Sequence, residues 1–210
     1  MVRVLIFDFD GTIVDSKTAY IDTIHRSLLK RSFIYPKERI AKALGPKIET
    51  TLKNLNKFSH KMLKSLKNEI NKNITKKVKE LKLCPYVKET LRRLKQKKFK
   101  IILLTNSARK FVITFLKYNK IMKYFNRLFY AENFKSKEEA IRNIAKKYNI
   151  SIRKIVYIAD KKKDVEIAKK IGCKIIIVLI CSWDKKEFHK EKYTINSMKQ
   201  LEKMLLELNI

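Results

Sequence analysis

Three apolar runs in this chain each stop abruptly at a polar residue, and this feature restricts the fold more than any other. The runs, each with the polar residue that follows it, are residues 2–7 with Asp8, residues 100–104 with Thr105, and residues 155–159 with Asp160. Continuous β-branched and apolar runs of this length are typical of strands buried on both faces of a parallel sheet. Segments with helical spacing separate the runs, so strands and helices alternate. This alternation predicts an α/β fold with a doubly wound, mostly parallel sheet and right-handed crossovers.

The later part of the chain continues the alternation. The predicted helices cover residues 87–97, a segment from after Thr105 to about Tyr118, and residues 137–148, 164–171 and 197–208. The predicted strands cover residues 127–130 and 174–180. Gly172 follows one of these helices directly, at the position where glycine commonly ends a helix. These segments complete a Rossmann-like core.

The segment from Ser16 to about Lys82 has a helical pattern that no strand-like run interrupts. Its apolar residues recur at spacings of three and four, as in Ile21, Ile24 and Leu28, or Met62, Leu66, Ile70 and Ile74. Gly45–Pro46 breaks the pattern once. We therefore predict a small all-helical cap domain of residues 16–83, inserted after the first strand. Residues 1–15 and 84–210 would form the α/β core domain.

The composition excludes some classes of phosphate-binding fold and leaves the meaning of the charge open. A chain of 210 residues with only three Gly cannot supply the glycine-rich loops of the common nucleotide-binding motifs. The net charge is +31, from 51 Lys and Arg against 20 Asp and Glu. Residues 16–84 carry 18 basic and 5 acidic side chains, close to the chain-wide density. Because the charge is diffuse, we favour compositional bias over a nucleic-acid-binding surface.

The cysteines and the apolar runs indicate the cellular setting. The three cysteines, Cys84, Cys173 and Cys181, are odd in number and lack the spacing of a zinc site, so we expect them to be reduced. No stretch approaches the ~20 uncharged residues that span a membrane, and the first apolar run is too short for a secretory signal. We expect a soluble cytoplasmic protein with no membrane partner, and a monomer.

The polar residues at the strand ends predict a reactive site. In doubly wound folds, ligands bind beyond the carboxyl ends of the strands, where the strand order reverses. Asp8, Thr105 and Asp160 would meet at this edge. Asp10 lies two residues after Asp8 on the same side of an extended segment, and Gly11 then allows a turn.

These residues also carry a resemblance along essentially the whole chain. The segment Asp8-Phe9-Asp10-Gly11-Thr12, continued by Ile-Val-Asp15-Ser16, resembles the first motif of the haloacid dehalogenase-like superfamily. Thr105-Asn106-Ser107 after a strand resembles the second motif, and Lys137 resembles the lysine of the third. Residues 156–160 with Asp164 resemble the fourth. This last motif departs from the family, which usually has Gly where Ala159 stands, and Lys161, Lys162 and Lys163 fill the gap between its aspartates.

The resemblance implies a role for each motif residue. Asp8 would be the nucleophile that forms an aspartyl-phosphate, and Asp10 would be the acid and then the base. Clustered carboxylates facing a phosphate dianion require a hard dication, and Mg²⁺ fits. Its ligands would be Asp8, Asp160 and the backbone carbonyl of Asp10, with Asp164 acting through water or by orienting the others. Thr105, the backbone N–H of Asn106, and Lys137 would bind the phosphoryl oxygens and offset their charge.

Two assignments have alternatives within the sequence. Lys135 lies two residues from Lys137 in a lysine-rich chain, and we favour Lys137 because it opens a helix as the motif lysine does. Asp15 and Ser16 are good helix-capping residues, and capping alone would account for both.

The overall resemblance is to the phosphoglycolate phosphatase and β-phosphoglucomutase branch, which has a small helical cap. It implies a Mg²⁺-dependent phosphatase acting on a small phosphorylated metabolite. A phosphomutase with the same four motifs is an alternative, as is a nucleic-acid-directed phosphatase or binding protein suggested by the +31 charge. Gly45–Pro46 falls where that branch has a substrate-facing cap turn, although a plain helix break would look the same.

Overall fold

The computed structural model describes residues 3–184, 188 and 191–210. Its central strand is β1, Val4–Phe7, whose four residues are all buried. Val2, which the predicted strand includes, lies outside the described residues. The other strands of the described chain are β2 (Val14–Asp15), β3 (Lys82–Leu83), β4 (Lys100–Leu104), β5 (Arg127–Phe129), β6 (Ile155–Ala159), β7 (Lys174–Val178) and β8 (Thr194–Ile195). Six of these strands form one sheet in the order β5-β4-β1-β6-β7-β8, and every pairing in it is parallel.

Helices precede and follow the strands. In the described chain they are α1 (Lys17–Leu29), α2 (Lys37–Ala43), α3 (Ile48–Leu55), α4 (His60–Lys76), α5 (Val87–Gln96), α6 (Arg109–Tyr118), α7 (Lys137–Lys147), α8 (Lys162–Ile171) and α9 (Leu201–Glu207). The chain passes from β1 to β4 and β5 on one side, then crosses to β6 on the other. The strand order therefore reverses at β1, which positions Asp8 at the switch point.

The two faces of the sheet are covered by separate hydrophobic layers. Successive side chains of β1 point to opposite faces, so Leu5 and Phe7 pack in one cluster and Val4 and Ile6 in the other. The first cluster includes side chains from α5, α6 and α9, and the second includes side chains from α7 and α8. Burial on both faces explains why these strands are continuously apolar.

The helices α1 to α4 enclose a further hydrophobic cluster of their own, which includes Leu28, Ile40, Leu52 and Leu66. The helical pattern predicted several helices here, and the region contains four. The structure corrects one detail of the prediction. A short antiparallel pair, β2 with β3, joins the two ends of the region, with Asp15 opposite Lys82. Two-residue strands carry too little periodicity to be predicted from sequence.

The α/β fold class predicted from the sequence is confirmed, and strand β6 has the predicted bounds. Strand β8, at the edge of the six-stranded sheet, was not predicted, because two residues do not form a recognisable run. The closing helix begins as a 3₁₀ turn at Met198–Gln200 before α9. The described part of the chain holds no helix with the length and apolar character needed to cross a membrane.

Candidate active site

The ends of three neighbouring strands bring together the residues predicted at the sheet edge. Asp8 follows β1, Thr105 follows β4, and Asp160 follows β6, with β1 between the other two strands. All three side chains are buried. The N–H of Asp8 donates to the Ile158 carbonyl (2.8 Å), which extends the sheet pairing to Asp8 itself.

Lys137, at the start of α7, connects two of the carboxylates. Its Nζ donates to Asp8 Oδ1 (2.9 Å), Asp164 Oδ1 (2.9 Å) and the Tyr157 hydroxyl (2.7 Å). Burial lowers the pKa of Lys137, but Asp164 and Asp8 outweigh this effect and raise the pKa above its ordinary value. The ammonium therefore stays charged beside Asp8. Lys135, the alternative considered from sequence, has an exposed side chain.

Asp10 has a hydrogen-bonding environment separate from that of Asp8. Ser16 Oγ donates to Asp10 Oδ1 (2.6 Å), and Ser107 Oγ donates to Asp10 Oδ2. Burial raises the pKa of Asp10, while Lys161 and the two hydroxyl groups oppose the rise. The result favours a carboxyl group that holds a proton more readily than an ordinary aspartate.

The capping interpretation of Asp15 and Ser16 was wrong in both cases. Ser16 precedes α1, but its hydroxyl makes no cap hydrogen bond and binds Asp10 instead. Asp15 lies in β2 with an exposed side chain. The sequence predicts no separate role for Ser107, which belongs to the second motif. The available signal for the contact between Ser107 and Asp10 was a second hydroxyl residue two positions after Thr105. The N–H of Ser107 also donates to Thr105 Oγ1 (3.0 Å).

Asp160 is held against the turn at Gly11. The backbone N–H of Trp183 donates to Asp160 Oδ2 (3.0 Å), and Thr12 Oγ1 donates to Asp160 Oδ1 (3.4 Å). Gly11 has φ +81°, and a Cβ at this position would lie 2.1 Å from Asp160 Oδ2. Burial raises the pKa of Asp160 well above its ordinary value.

The buried carboxylates form a group that could hold a metal ion. One oxygen from each of Asp8, Asp160 and Asp164 lies within 4.8 Å of the other two. Within the described residues, Asp8 Oδ2 and Asp164 Oδ2 are buried and have no hydrogen-bond partner. Buried oxygen atoms without donors are destabilising unless a cation satisfies them. The donor set is all oxygen, as hard divalent cations prefer.

A cavity of about 210 Å³ opens above this group. Asp8, Asp10, Thr105 and Asn106 line its inner end. Residues 44–48, which are the turn between α2 and α3 together with the first residue of α3, line it from the side of the helical insertion. The Gly45–Pro46 break considered from sequence therefore faces the cavity.

Two residues at the site were not predicted. Tyr157 lies inside β6, and its hydroxyl accepts from Lys137 and donates to Asp164 Oδ1 (2.9 Å). A tyrosine in an otherwise aliphatic buried strand was the available signal, because its hydroxyl needs a partner. Trp183 carried no such signal, since its position beside Asp160 depends on how the chain after β7 folds back.

The family model described as haloacid dehalogenase-like hydrolase matches residues 5–178. The chain belongs to the haloacid dehalogenase-like hydrolases. This confirms the superfamily predicted from the motifs. The match spans all four motif segments, from Asp8 to Asp164.

Curated relatives and solved structures agree with this membership. A phosphoglycolate phosphatase from Vibrio parahaemolyticus is 25% identical over 191 residues, which cover 82% of this chain and 81% of the relative. The phosphorylated carbohydrates phosphatase from Thermotoga maritima is 24% identical over 197 residues, covering 86% and 87%. The structure of a predicted phosphoglycolate phosphatase from Haemophilus somnus has a TM-score of 0.85 and covers 97% of this chain and 98% of that chain. Its identity is 17%, so this likeness shows the shared fold alone.

Within this haloacid dehalogenase-like hydrolase, the unusual lysines of the fourth motif do not share one environment. Lys161 is half-buried, and its Nζ lies 4.1 Å from the ring centroid of Trp183. Burial lowers the pKa of Lys161, but Asp160, Asp8 and Asp10 raise it above its ordinary value. Lys163 is exposed and pairs with Glu166 (2.8 Å). Of these two lysines, Lys161 is the one whose charge interacts with the site carboxylates.

Proposed function

We propose that this hydrolase is a Mg²⁺-dependent phosphatase that cleaves a small phosphomonoester through an aspartyl-phosphate on Asp8. The observation that carries the proposal is that the two neighbouring aspartates, Asp8 and Asp10, have different hydrogen-bond partners. Asp8 is bound to Lys137, whereas Asp10 is bound by two serine hydroxyls and has a raised pKa. Two carboxylates in different environments are suited to different roles, one as nucleophile and the other as acid.

In the first step, a carboxylate oxygen of Asp8 attacks phosphorus. A bond forms between this oxygen and phosphorus while the bond from phosphorus to the leaving oxygen breaks. Asp10 gives its proton to the leaving oxygen, so the product departs as a neutral alcohol. Lys137 holds positive charge beside Asp8, where negative charge accumulates on the transferred group.

In the second step, Asp10 acts as a base. It takes a proton from a water molecule as the water oxygen attacks phosphorus, and the bond from phosphorus to Asp8 breaks. Inorganic phosphate leaves, and Asp10 is protonated again for the next cycle. Ser16 and Ser107 orient the Asp10 carboxyl group in both steps through their hydroxyl groups.

Asp8, Asp160 and the backbone carbonyl of Asp10 would hold the metal ion, with Asp164 beside them. When bound, Mg²⁺ supplies positive charge that lowers the repulsion between the carboxylates and the phosphate. Thr105 and Asn106 line the same end of the cavity and would bind the phosphoryl oxygens. The two buried oxygen atoms without partners, on Asp8 and Asp164, support a cation at this position.

The helices α1 to α4 would act as a cap. We propose that residues 16–83 form this domain and that residues 1–15 and 84–210 form the core, as the sequence predicted. The cap turn, residues 44–48, lines the cavity and would exclude water while the phosphoryl group is transferred. The named relatives act on phosphoglycolate or phosphorylated carbohydrates, which supports a small metabolite as the substrate.

The test of this function is hydrolysis of an aryl phosphate, followed by the release of inorganic phosphate. We expect turnover with Mg²⁺, a fall of about a hundredfold or more with chelator, and recovery when Mg²⁺ is restored in excess. Turnover that chelator leaves unchanged would contradict the metal assignment. A phosphorylated sugar that is isomerised without phosphate release would indicate a mutase instead.

Lys137 and Lys135 offer a matched pair of variants. Lys137→Met is expected to lower kcat by roughly a hundred- to thousandfold, since it removes the cation next to Asp8. Lys135→Met should change kcat by about threefold or less, because its ammonium is exposed. Steady-state kinetics on one substrate compares the two.

Folding of the Lys137 variant must be verified first. The change leaves Asp8 and Asp164 without their shared cation and should cost about 3 kcal/mol of stability. Circular dichroism and urea unfolding determine whether the native state persists. Equal losses of kcat in the two folded variants would overturn the role given to Lys137.

A further inference from the structure

Lysine is an unfavourable residue at position 161, which is the N-cap of α8. The carbonyl of Lys161 accepts from the N–H of Asp164 (3.0 Å), so its backbone begins the helix. An N-cap side chain normally accepts a hydrogen bond from the first helical turn, and lysine has no acceptor atom. Its positive charge also lies at the positive end of the helix dipole. Exceptions to local preferences of this kind concentrate at functional sites.

The side chain of Lys161 lies beside the carboxylates at the sheet edge. Lys161 directly follows Asp160 at the end of β6. It lines the cavity of about 210 Å³ together with Asp8 and Asp10. Its positive charge interacts with Asp160 and with both of these aspartates. The ammonium therefore adds positive charge close to Asp8, where the phosphoryl group would be transferred.

The ammonium of Lys161 has hydrogen-bond donors available for a ligand. Its Nζ lies 4.1 Å from the centroid of the Trp183 ring. Within the part of the chain that the structure describes, it makes no hydrogen bond and no close ion pair. An ammonium carries three N–H donors, and contact with an aromatic ring leaves them able to bind an oxygen atom. An oxygen atom of a ligand in the cavity could accept from them.

The lysine of the third motif differs, because all three N–H groups of Lys137 are already used. They donate to Asp8 Oδ1 (2.9 Å), Asp164 Oδ1 (2.9 Å) and the Tyr157 hydroxyl (2.7 Å). A phosphoryl oxygen can bind Lys137 only by displacing one of these partners. Lys161 can bind such an oxygen without losing a hydrogen bond.

We infer that Lys161 binds the phosphoryl group directly, as a second cationic side chain of the phosphate site beside Lys137. This inference rests on the proposed phosphatase function and gives a role to one of the three lysines that fill the gap in the fourth motif. The alternative is that Lys161 only offsets the negative charge of the buried carboxylates. The two roles lead to different binding affinities for phosphate.

Isothermal titration calorimetry with inorganic phosphate tests the inference, because this product carries the oxygens of the transferred group. Lys161→Met removes the ammonium and keeps an unbranched side chain against Trp183. At saturating Mg²⁺ and constant ionic strength, this variant should bind phosphate about tenfold or more weakly than the native protein, since it loses a charged hydrogen bond. Lys161→Arg keeps the charge and the contact with the ring, so its phosphate affinity should stay within about threefold of the native value.

Calorimetry with Mg²⁺ in the absence of phosphate separates a direct contact from general damage to the site. A nearby positive charge repels the metal ion, so Lys161→Met should bind Mg²⁺ about threefold or more tightly than the native protein. The affinities for phosphate and Mg²⁺ should therefore change in opposite directions, whereas a damaged site would bind both more weakly. If Lys161 only offsets carboxylate charge, Mg²⁺ binding should tighten while phosphate binding weakens by less than about threefold.

Lys169→Met is the matched control. Lys169 is exposed, pairs with Glu191 (2.7 Å), and lies eight residues and about 12 Å along α8 from Lys161. The variant loses the same charge and should bind phosphate and Mg²⁺ within about twofold of the native protein. If Lys161→Met does not fold, Lys161→Gln removes the same charge with a polar side chain and should show the same opposite changes.

The outcomes separate this inference from the proposed function. Weaker phosphate binding with tighter Mg²⁺ binding in Lys161→Met, and near-native binding in Lys161→Arg and Lys169→Met, supports the inference. Phosphate affinity within about threefold of the native value in Lys161→Met overturns it, as does a loss of both affinities. Either result leaves the phosphatase function standing if the native protein hydrolyses an aryl phosphate with Mg²⁺. A native protein that neither binds phosphate nor hydrolyses the aryl phosphate would overturn both.

Discussion

Asp8→Asn is expected to lower phosphatase turnover by roughly a thousandfold or more while the protein stays folded. The amide has nearly the shape of the carboxylate, so it fits the same space and can still accept from Lys137. It cannot act as the nucleophile, because its oxygen lacks the negative charge that attacks phosphorus. It also removes one of several buried carboxylates that repel one another, since Asp8 raises the pKa of both Asp10 and Asp160. The measurement is kcat with an aryl phosphate, together with thermal unfolding of both proteins.

Asp15→Asn is the control for this change. Asp15 is an exposed aspartate in β2, seven residues further along the chain, and it undergoes the same chemical substitution. The kcat of the Asp15→Asn variant should stay within about twofold of the native value. Acid quenching during turnover should trap a phosphate on the native protein and none on the Asp8 variant. Turnover of the Asp8 variant near the native rate would mean that another group attacks phosphorus.

Gly11→Ala is expected to damage both stability and activity. Its φ of +81° disfavours a side chain, and the added Cβ would lie 2.1 Å from Asp160 Oδ2, well inside contact distance. Asp160 cannot move away easily, because the Trp183 N–H binds the same oxygen, Oδ2. We expect a loss of about 2–4 kcal/mol in the free energy of unfolding and at least about a hundredfold in kcat. Urea unfolding and kinetics at saturating Mg²⁺ measure the two effects.

Gly172→Ala is the control that separates the cost of the left-handed backbone from the cost of the contact between the new Cβ and Asp160. Gly172 ends α8 with φ +75°, and a Cβ there would meet nothing within 4 Å. This variant should lose only the cost of the left-handed backbone, about 1 kcal/mol, and keep its activity. If Gly11→Ala behaves like Gly172→Ala in both assays, the close approach of Asp160 does not constrain this turn.

The structure reproduces the predictions that were made where the sequence changes sharply from apolar to polar residues or reaches a glycine. β6 was predicted to the residue, because five buried apolar residues precede an aspartate there. Gly172 marked the end of a helix for a local reason, the left-handed conformation of its backbone. The sheet edge shared by Asp8, Thr105 and Asp160 followed from the parallel alternation, since carboxyl ends of parallel strands lie on one side.

The details that were missed depend on contacts between distant residues. Ser16 has the sequence position of a helix cap, but its hydroxyl donates to Asp10 Oδ1 and accepts from no N–H of α1. The pairs β2 with β3 and β7 with β8 are short, so pairing partners far along the chain define them rather than local pattern. Trp183 and Tyr157 contact the acidic group only because β6 and the chain after β7 converge there.

The sequence by itself determined the α/β fold, the family and the residues at the strand ends, because these follow from local patterns of apolar and polar residues. It did not determine which of Lys135 and Lys137 lies beside Asp8. The tertiary structure placed Lys137 there, since α7 begins above the sheet edge and directs that side chain inward. It alone also formed the cavity above Asp8, because that space exists only where the cap turn lies opposite the strand ends. The local sequence determines which side chains a segment contains, whereas the packing of distant segments determines which side chains come into contact.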